Sequence, residues 1–368
     1  MRIVYPTVTE QGLGNNLLTV AKAYLIAQSC QMTYQPPVWP PTMHVWPPTK
    51  NGYGYYFPST VGDKSRLSLF SYLFRIQRRF HIRLGPPILH FGKDHYGKSR
   101  ILDIGEACLA YLKTMELDDP AKSVIVTTTG MWGGYAAIKR ARTWLHDLLM
   151  SHSDTRRRLE EIEARAEGRL RVVVNIRMGD FKPSTGNFQE GERVVRIPLD
   201  WFIRACRMIR EVCDCAFILV TDGQHDELLP FLNEIHPIEY LGQPYSDLLG
   251  VLLLSHSDLA ICSNSTYSRL GCFLNDKPYI WFADTLVRDP SRRFGYLWND
   301  NGTPMPAWIK AAANSPRMNH GAIQRCFPIS YGFSLLPEGL KRYLTSNGRL
   351  PIEVANDLLY GEPVPILH

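Results

Sequence analysis

Residues 172–181 read Val172-Val173-Val174-Asn175-Ile176-Arg177-Met178-Gly179-Asp180-Phe181, and this run decides the fold. The apolar, β-branched stretch from Arg171 to Val174 predicts a buried strand of a parallel sheet. That strand delivers Arg177 to a glycine-acid turn. A guanidinium is planar, offers a fixed fork of donors and stays charged at any working pH, which suits a diphosphate. At the carboxyl end of a strand in an open α/β sheet, it points into the crevice where such folds bind ligands. The same residue also fits a surface position after an edge strand, and a second segment bears on that choice.

The second segment is Asp247 to Asn275. Asp247-Leu248-Leu249 opens an apolar helix that runs toward Ser257, and Leu259-Ala260-Ile261-Cys262 then reads as a short strand. Ser263-Asn264-Ser265-Thr266-Tyr267-Ser268 follows and leads into a helix-like Arg269-Leu270-Gly271-Cys272-Phe273-Leu274-Asn275. A strand entering a Ser/Asn/Thr cluster at a helix start has two readings. The cluster can simply cap the helix. It can also offer hydroxyls, exposed N–H groups and the positive helix end to a phosphate, as the other half of a clamp with Arg177.

Asn175-Ile176-Arg177-Met178-Gly179-Asp180 together with Asp247-Leu248-Leu249 and Ser263–Ser268 resembles the α-1,2-fucosyltransferase family. That family belongs to a wider group with the α-1,6- and protein O-fucosyltransferases. Gly12-Leu13-Gly14-Asn15-Asn16-Leu17-Leu18 is similar to the family's opening Gly-x-Gly-Asn-x-Leu-Phe. Phe217-Ile218-Leu219-Val220-Thr221-Asp222-Gly223 is similar to its strand ending in Ser/Thr-Asp-Asp. The four segments keep the family's order and span residues 12 to about 282. The resemblance implies a GT-B type fold, two Rossmann-like α/β domains facing a central cleft. It also implies an inverting transfer of fucose from GDP-fucose.

The departures are specific. Asn175 stands where the family has His, Met178 where it has a second basic residue, and Gly223 where it has a second acid. Arg269-Leu270 replaces the usual tryptophans. In relatives the first motif position and the acidic pair help hold guanine. Asn175 has both a donor and an acceptor for a base, yet these changes leave the donor nucleotide open. A glycosyltransferase with another nucleotide sugar, and a non-catalytic nucleotide- or glycan-binding relative, both remain as alternatives.

Composition fits a soluble globular protein: 368 residues, 45% hydrophobic and 21% charged. That length allows two domains, each with its own core. A net charge of +6 suits anionic substrates or an anionic membrane surface, and is too small to argue for nucleic acid. The eight cysteines are scattered, mostly in apolar contexts, which suits free thiols more than a disulfide framework. Cys213-Asp214-Cys215 lacks the spacing and partners of a zinc site. No apolar stretch of about 20 residues reads as a membrane anchor. The expectation is a cytoplasmic enzyme.

Regular β/α alternation predicts domains at 1–167 and 168–300, with a C-terminal extension at 301–368; the resemblance implies that the first is the acceptor side and the second the nucleotide-sugar side. Within the first, residues 36–63 are rich in proline and aromatics, which keeps them out of regular structure. Their rings can stack on sugars or fold onto one another. Residues 64–84 interleave arginines with apolar residues. They fit either a peripheral helix on an anionic membrane or a helix packed inward. Helices are expected at Ile138–Met150, Glu338–Thr345 and Ile352–Leu359, the last two bracing the first domain.

Gly12-x-Gly14 fails the dinucleotide fingerprint, because Leu17 stands at the third small position and no acid lies about 20 residues on. The resemblance places Gly12, Gly14 and Asn15 on the acceptor side, facing the cleft. For sugar transfer from a nucleoside diphosphate, charge building on the departing oxygens needs fixed cations and oriented N–H dipoles. Arg177 is the first candidate for that role. Ser265, Thr266 and Ser268, with the backbone around Asn264, assist on the donor side, and Asp222 contacts the base or ribose. Asp180 is a candidate general base, or a residue that holds the turn. His225 and His256 are weaker candidates. The chain has no Asp-x-Asp, so the expectation is no metal and no cofactor beyond the nucleotide sugar. The acceptor is a hydroxyl of a glycan or lipid-linked glycan, and the oligomeric state is left open.

Overall fold

The computed structural model describes residues 1–8, 12–37, 86–99, 101, 103–130, 132–184, 186–189, 192, 194–242, 247–285 and 323–353. These fall into two compact units, Met1–Leu145 and His146–His368. The proline- and aromatic-rich stretch from residue 38 and the basic segment 64–84 lie outside the described residues.

The first unit is built on β1 (Arg2–Pro6), α1 (Leu13–Ser29), β2 (Thr33–Tyr34), β3 (Ile88–His90), α2 (Lys93–Ser99), α3 (Ile104–Thr114), β4 (Val124–Thr128) and a single turn, α4 (Gly134–Ala137). Its four strands are parallel, in the order β2-β1-β4-β3. Helix α1 is buried on almost every side, which its run of Leu, Val, Ala and Ile predicts. Helix α3 lies against it through Gly105, where a Cβ would stand 2.6 Å from the Leu25 carbonyl oxygen. The helix expected over Ile138–Met150 is split. A 3-10 turn at Lys139–Ala141 precedes α5 (Arg142–Met150), which crosses the division between the units.

The second unit begins with α6 (Ser153–Arg165) and continues through β5 (Leu170–Ile176), α7 (Leu199–Arg210), β6 (Cys215–Thr221), α8 (His225–Ile235), β7 (Glu239–Leu241) and α9 (Asp247–Ser255). It is completed by β8 (Leu259–Cys262), α10 (Thr266–Leu274), β9 (Tyr279–Phe282), β10 (Ile323–Gln324), β11 (Cys326–Ile329), α11 (Glu338–Thr345) and β12 (Ile352–Glu353). Six parallel strands line up as β7-β6-β5-β8-β9-β11. Counting only these strands, the order is 3-2-1-4-5-6, that of a dinucleotide-binding Rossmann sheet. The chain therefore reverses its direction of travel across the sheet between β5 and β8.

Two expectations about boundaries change. Helix α6 packs against α9, so the division falls at Leu145/His146, ahead of residue 167. The C-terminal residues complete the second unit: β11 adds the sixth strand, and Leu340, Tyr343 and Leu344 of α11 enter its core. The helix expected at Ile352–Leu359 begins instead as β12, paired with β10, and residues 354–359 lie outside the described residues.

Polar contacts tie the rim of this sheet together. Arg171 at the start of β5 pairs with Glu163 of α6 and, at 3.1 Å, with Asp258. His256 Nδ1 lies 3.2 Å from the same Glu163 carboxylate. The His256 hydrogen bond first, and then the charge of Arg171, hold the Glu163 carboxyl below the ordinary carboxylate range. A carboxyl whose folded value is depressed stabilises the fold above its unfolded value of about 4.3, and that stability is lost as pH falls through the folded value. Glu163→Gln is expected to flatten the acid limb of stability against pH below about pH 4.5, measured by urea unfolding across that range. At Gly271 in α10 a Cβ would lie 2.3 Å from Leu254 Cβ in α9. Gly271→Ala is expected to cost about 1–3 kcal/mol through overpacking, read from the same unfolding curves.

Candidate active site at the strand-order reversal

The site is assembled where β5 and β8 end side by side. Register sets the two ends: Asn175 pairs with Cys262, the last residue of β8, and β5 runs one residue further to Ile176. Ser263 Oγ then accepts the backbone N–H of Arg177 at 2.9 Å. This couples the arginine turn to the Ser/Asn/Thr cluster, the two segments that the sequence marked as halves of one clamp.

Arg177 is mostly enclosed, with 18% of its side chain exposed. Its Nη1 lies 2.9 Å from Asp222 Oδ2 and its Nη2 2.9 Å from Asp180 Oδ1. The guanidinium carbon sits 5.3 Å from the centre of the Phe181 ring. Its Nε is buried without a hydrogen-bond partner among the described residues.

Asp222, expected at the base or ribose of a donor, makes contacts within the protein. Besides Arg177, its other oxygen accepts the backbone N–H groups of Met178 at 2.7 Å and Gly179 at 3.1 Å. The carboxylate is 4% exposed and fastens the turn that carries the arginine. Asp180 lies at the open end, 66% exposed.

Asn175 and Ser268, also expected to touch the donor, are buried within the protein. Asn175 donates its amide to the Val220 carbonyl at 3.2 Å and accepts from Ser268 Oγ at 2.6 Å. Ser268 Oγ lies 2.8 Å from Ser265 Oγ, which caps α10 by accepting the Ser268 N–H at 3.0 Å. Because Ser268 spends its proton on Asn175, the hydrogen of the remaining bond comes from Ser265. The chain Ser265→Ser268→Asn175→Val220 thus runs one way and locks α10 onto β5 and β6. Strand alternation alone does not tell whether a polar residue at a strand end faces ligand or interior, and here the interior takes Asn175.

Asn264 and Thr266 remain partly open at the start of α10. Asn264 donates its amide to Thr285 Oγ1, while its Oδ1 is buried without a hydrogen-bond partner among the described residues. Trp281 Nε1 in β9 is buried in the same condition. Orphaned buried polar atoms are rare. Those of Arg177, Asn264 and Trp281 all lie toward the carboxyl ends of β5, β8 and β9. Met178 covers Gly223, where a Cβ would lie 2.6 Å from its sulfur. Two departures from the resembled family are therefore one packing contact.

Sequence reading missed two residues, Arg196 and Lys22, and the role of a third, Ser263, which it placed in the phosphate cluster. Ser263 supports Arg177, as described. Arg196 Nε donates to the carbonyls of Met178 at 2.8 Å and Phe181 at 3.0 Å, and its Nη1 meets Glu227 at 2.7 Å. The Arg196 hydrogen bond is the main cause that lowers the Glu227 carboxyl. In the first unit, Lys22 is fully buried. Its Nζ donates to the carbonyls of Gly130 at 2.6 Å and Trp132 at 2.9 Å, and it lies 3.8 Å from the Trp132 ring centre. A lysine inside an otherwise apolar helix was the only available signal.

Gly12, Gly14 and Asn15 start α1, beyond the carboxyl end of β1. Among the described residues, no atom lies within 4 Å of where a Cβ on Gly12 would stand, and Asn15 Oδ1 is buried without a hydrogen-bond partner. His225 begins α8, and His256 belongs to the Glu163 network. Among the described residues, no group of three or more His, Cys, Asp or Glu side chains is arranged to hold a metal ion. No helix among them is long and apolar enough to cross a membrane.

Removing Asp222 takes the buried carboxylate from Arg177, leaves it the exposed Asp180, and frees the turn. Asp222→Ala is expected to lower unfolding stability by about 3–5 kcal/mol, the cost of breaking a buried pair, measured by chemical denaturation. Arg196→Ala is expected to lose less stability while the turn loosens, seen as faster amide exchange at Met178 and Gly179. Lysine at 196 does not restore protection, because an ammonium cannot reproduce the planar fork.

No protein-family model matches the chain, and no curated protein matches it. Among solved structures it is similar to the NodZ α-1,6-fucosyltransferase co-crystallized with GDP, at 17% identity over 77% of this chain and 96% of that one, TM-score 0.44. It is similar to the fucosyltransferase NodZ from Bradyrhizobium at 17% identity over 74% and 93%, TM-score 0.42. A glycosyl transferase family 9 protein from Veillonella parvula matches at 12% identity over 76% and 80%, TM-score 0.38.

Proposed function

We propose that the protein is a glycosyltransferase that moves a sugar from a nucleoside diphosphate to a hydroxyl of a glycan or lipid-linked glycan. The observation that carries this reading is the position of Arg177. It stands at the carboxyl end of the first strand of a 3-2-1-4-5-6 sheet, beside the start of α10. Ligands of open α/β sheets bind at that reversal point, and helix starts favour phosphate.

The chemistry follows from the charges. As the glycosidic bond breaks, negative charge gathers on the diphosphate while the sugar becomes oxocarbenium-like. Arg177 and the first turn of α10 are aimed at that charge in a partly enclosed site, where fixed dipoles act strongly. The donor is GDP-fucose and the transfer inverts the anomeric centre, both implied by the motif resemblance. Divalent metal is dispensable, since the cation at the leaving group is a side chain. Asn264, Ser265 and Thr266 take the donor side, and Gly12, Gly14 and Asn15 the acceptor side. Asn175, Asp222 and Ser268 act indirectly, by fixing Arg177 and α10.

A second donor is favoured by one observation. With Met178 over Gly223, a thioether fills space next to Asp222 that the resembled family gives to charge. That favours a base recognised by shape more than by ion pairing.

A thermal-shift panel of GDP, UDP, ADP, CMP and dTDP without added metal tests both readings. One nucleoside diphosphate is expected to stabilise the protein, by about 2.7 kcal/mol at a hundredfold excess over Kd, and Arg177→Ala to abolish the shift. GDP as that ligand supports the fucosyl donor, and another nucleotide favours the second reading. With the matching sugar donor, Arg177→Ala is expected to lose about 10²- to 10³-fold in kcat. No shift with any nucleotide contradicts the proposal.

A further inference from the structure

Arg177 is held between two carboxylates of unequal standing. Asp222 is buried and also binds two backbone N–H groups, so it is a permanent fixture of the turn. Asp180 is 66% exposed and lies three residues along the chain from the arginine it contacts. Water solvates Asp180 when the two part, which makes this contact easier to break than the buried one to Asp222.

The guanidinium presents two edges for bidentate binding. One donor, Nη1, is committed to Asp222. On the side edge, Nη2 meets Asp180 while Nε is buried without a hydrogen-bond partner among the described residues. A single carboxylate oxygen thus holds half of an edge built for two. A phosphate satisfies both donors at once through two parallel bonds, the geometry for which arginine is selected over lysine. Phe181 beneath the guanidinium and Asp222 at its far end keep the plane in place during such an exchange.

We propose that Asp180 is a displaceable carboxylate latch on the Nε–Nη2 edge of Arg177, which exchanges for a phosphate of the substrate and returns when the diphosphate product leaves. The latch rests on the reading of this crevice as a diphosphate seat. It gives Asp180 a positioning role and sets it apart from a general base. Its negative charge opposes the incoming diphosphate, so it weakens binding of both donor and product. Its return to the guanidinium speeds product release.

The test is calorimetric titration of GDP and of inorganic pyrophosphate into wild type, Asp180→Asn, Arg177→Ala and the double variant. Asp180→Asn is expected to bind both probes about three- to tenfold tighter, equivalent to about 0.7–1.4 kcal/mol, with no such gain when Arg177 is absent. In turnover, KM and kcat are expected to fall together, whereas loss of a base lowers kcat and leaves GDP affinity unchanged. Affinity that is unchanged or weaker in Asp180→Asn overturns the latch and leaves the nucleotide reading standing. A gain that persists without Arg177 overturns it as well. If pyrophosphate binds and tightens while no nucleotide binds, the latch stands and the nucleotide reading falls. Binding of neither probe to any variant overturns both.

Discussion

The buried carboxylate of Asp222 is the constraint on which the second unit's binding corner depends. It sits at the end of β6 and reaches across to the turn after β5, where it takes two backbone N–H groups and the Nη1 donor of Arg177. Each bond is charge-assisted, and together they satisfy an anion that would otherwise be costly to bury. The hold on Arg177 and the path of Met178 and Gly179 both depend on that one placement. Arg196 closes the turn from the other side through the carbonyls of Met178 and Phe181. The arginine is therefore pre-oriented by protein atoms, and a ligand need not spend binding energy to order it.

The strand order supplies the other half of the corner. Because this sheet starts in its middle and is later extended on the other side, β5 and β8 are neighbours whose next strands, β6 and β9, lie on opposite sides of the pair. That divergence opens the crevice. The one-way chain from Ser265 to Val220 then fixes the start of α10 against both strands. Fully satisfied buried networks of this kind rigidify what they connect. Against that background, Arg177 Nε, Asn264 Oδ1 and Trp281 Nε1 stand out as buried atoms near the corner that have no hydrogen-bond partner among the described residues.

Much of this was legible in the sequence because the central strands are buried on both faces and read as near-continuous apolar runs. Leu170–Ile176, Cys215–Thr221, Leu259–Cys262 and Tyr279–Phe282 are of that kind. The sixth strand was not, since Pro328 lies inside Cys326–Ile329. Its position at the sheet edge is what makes the proline tolerable. Arg177 could be chosen by its charge and its place after a strand. The inward roles of Asn175 and Ser268 could not, because short polar side chains suit a ligand and a buried network equally. Lys22 and Arg196 depend on carbonyls brought near by the fold: those of Gly130 and Trp132 for Lys22, and those of Met178 and Phe181 for Arg196. No local pattern announces such partners.

The most direct measurement is a crystal structure of the protein grown with the nucleoside diphosphate that stabilises it most. The account predicts diphosphate density on the Nε–Nη2 edge of Arg177 and against the first turn of α10, with Asp180 turned away and Asp222 in place. Density for the nucleotide elsewhere, with Arg177 still paired to Asp180, would contradict it.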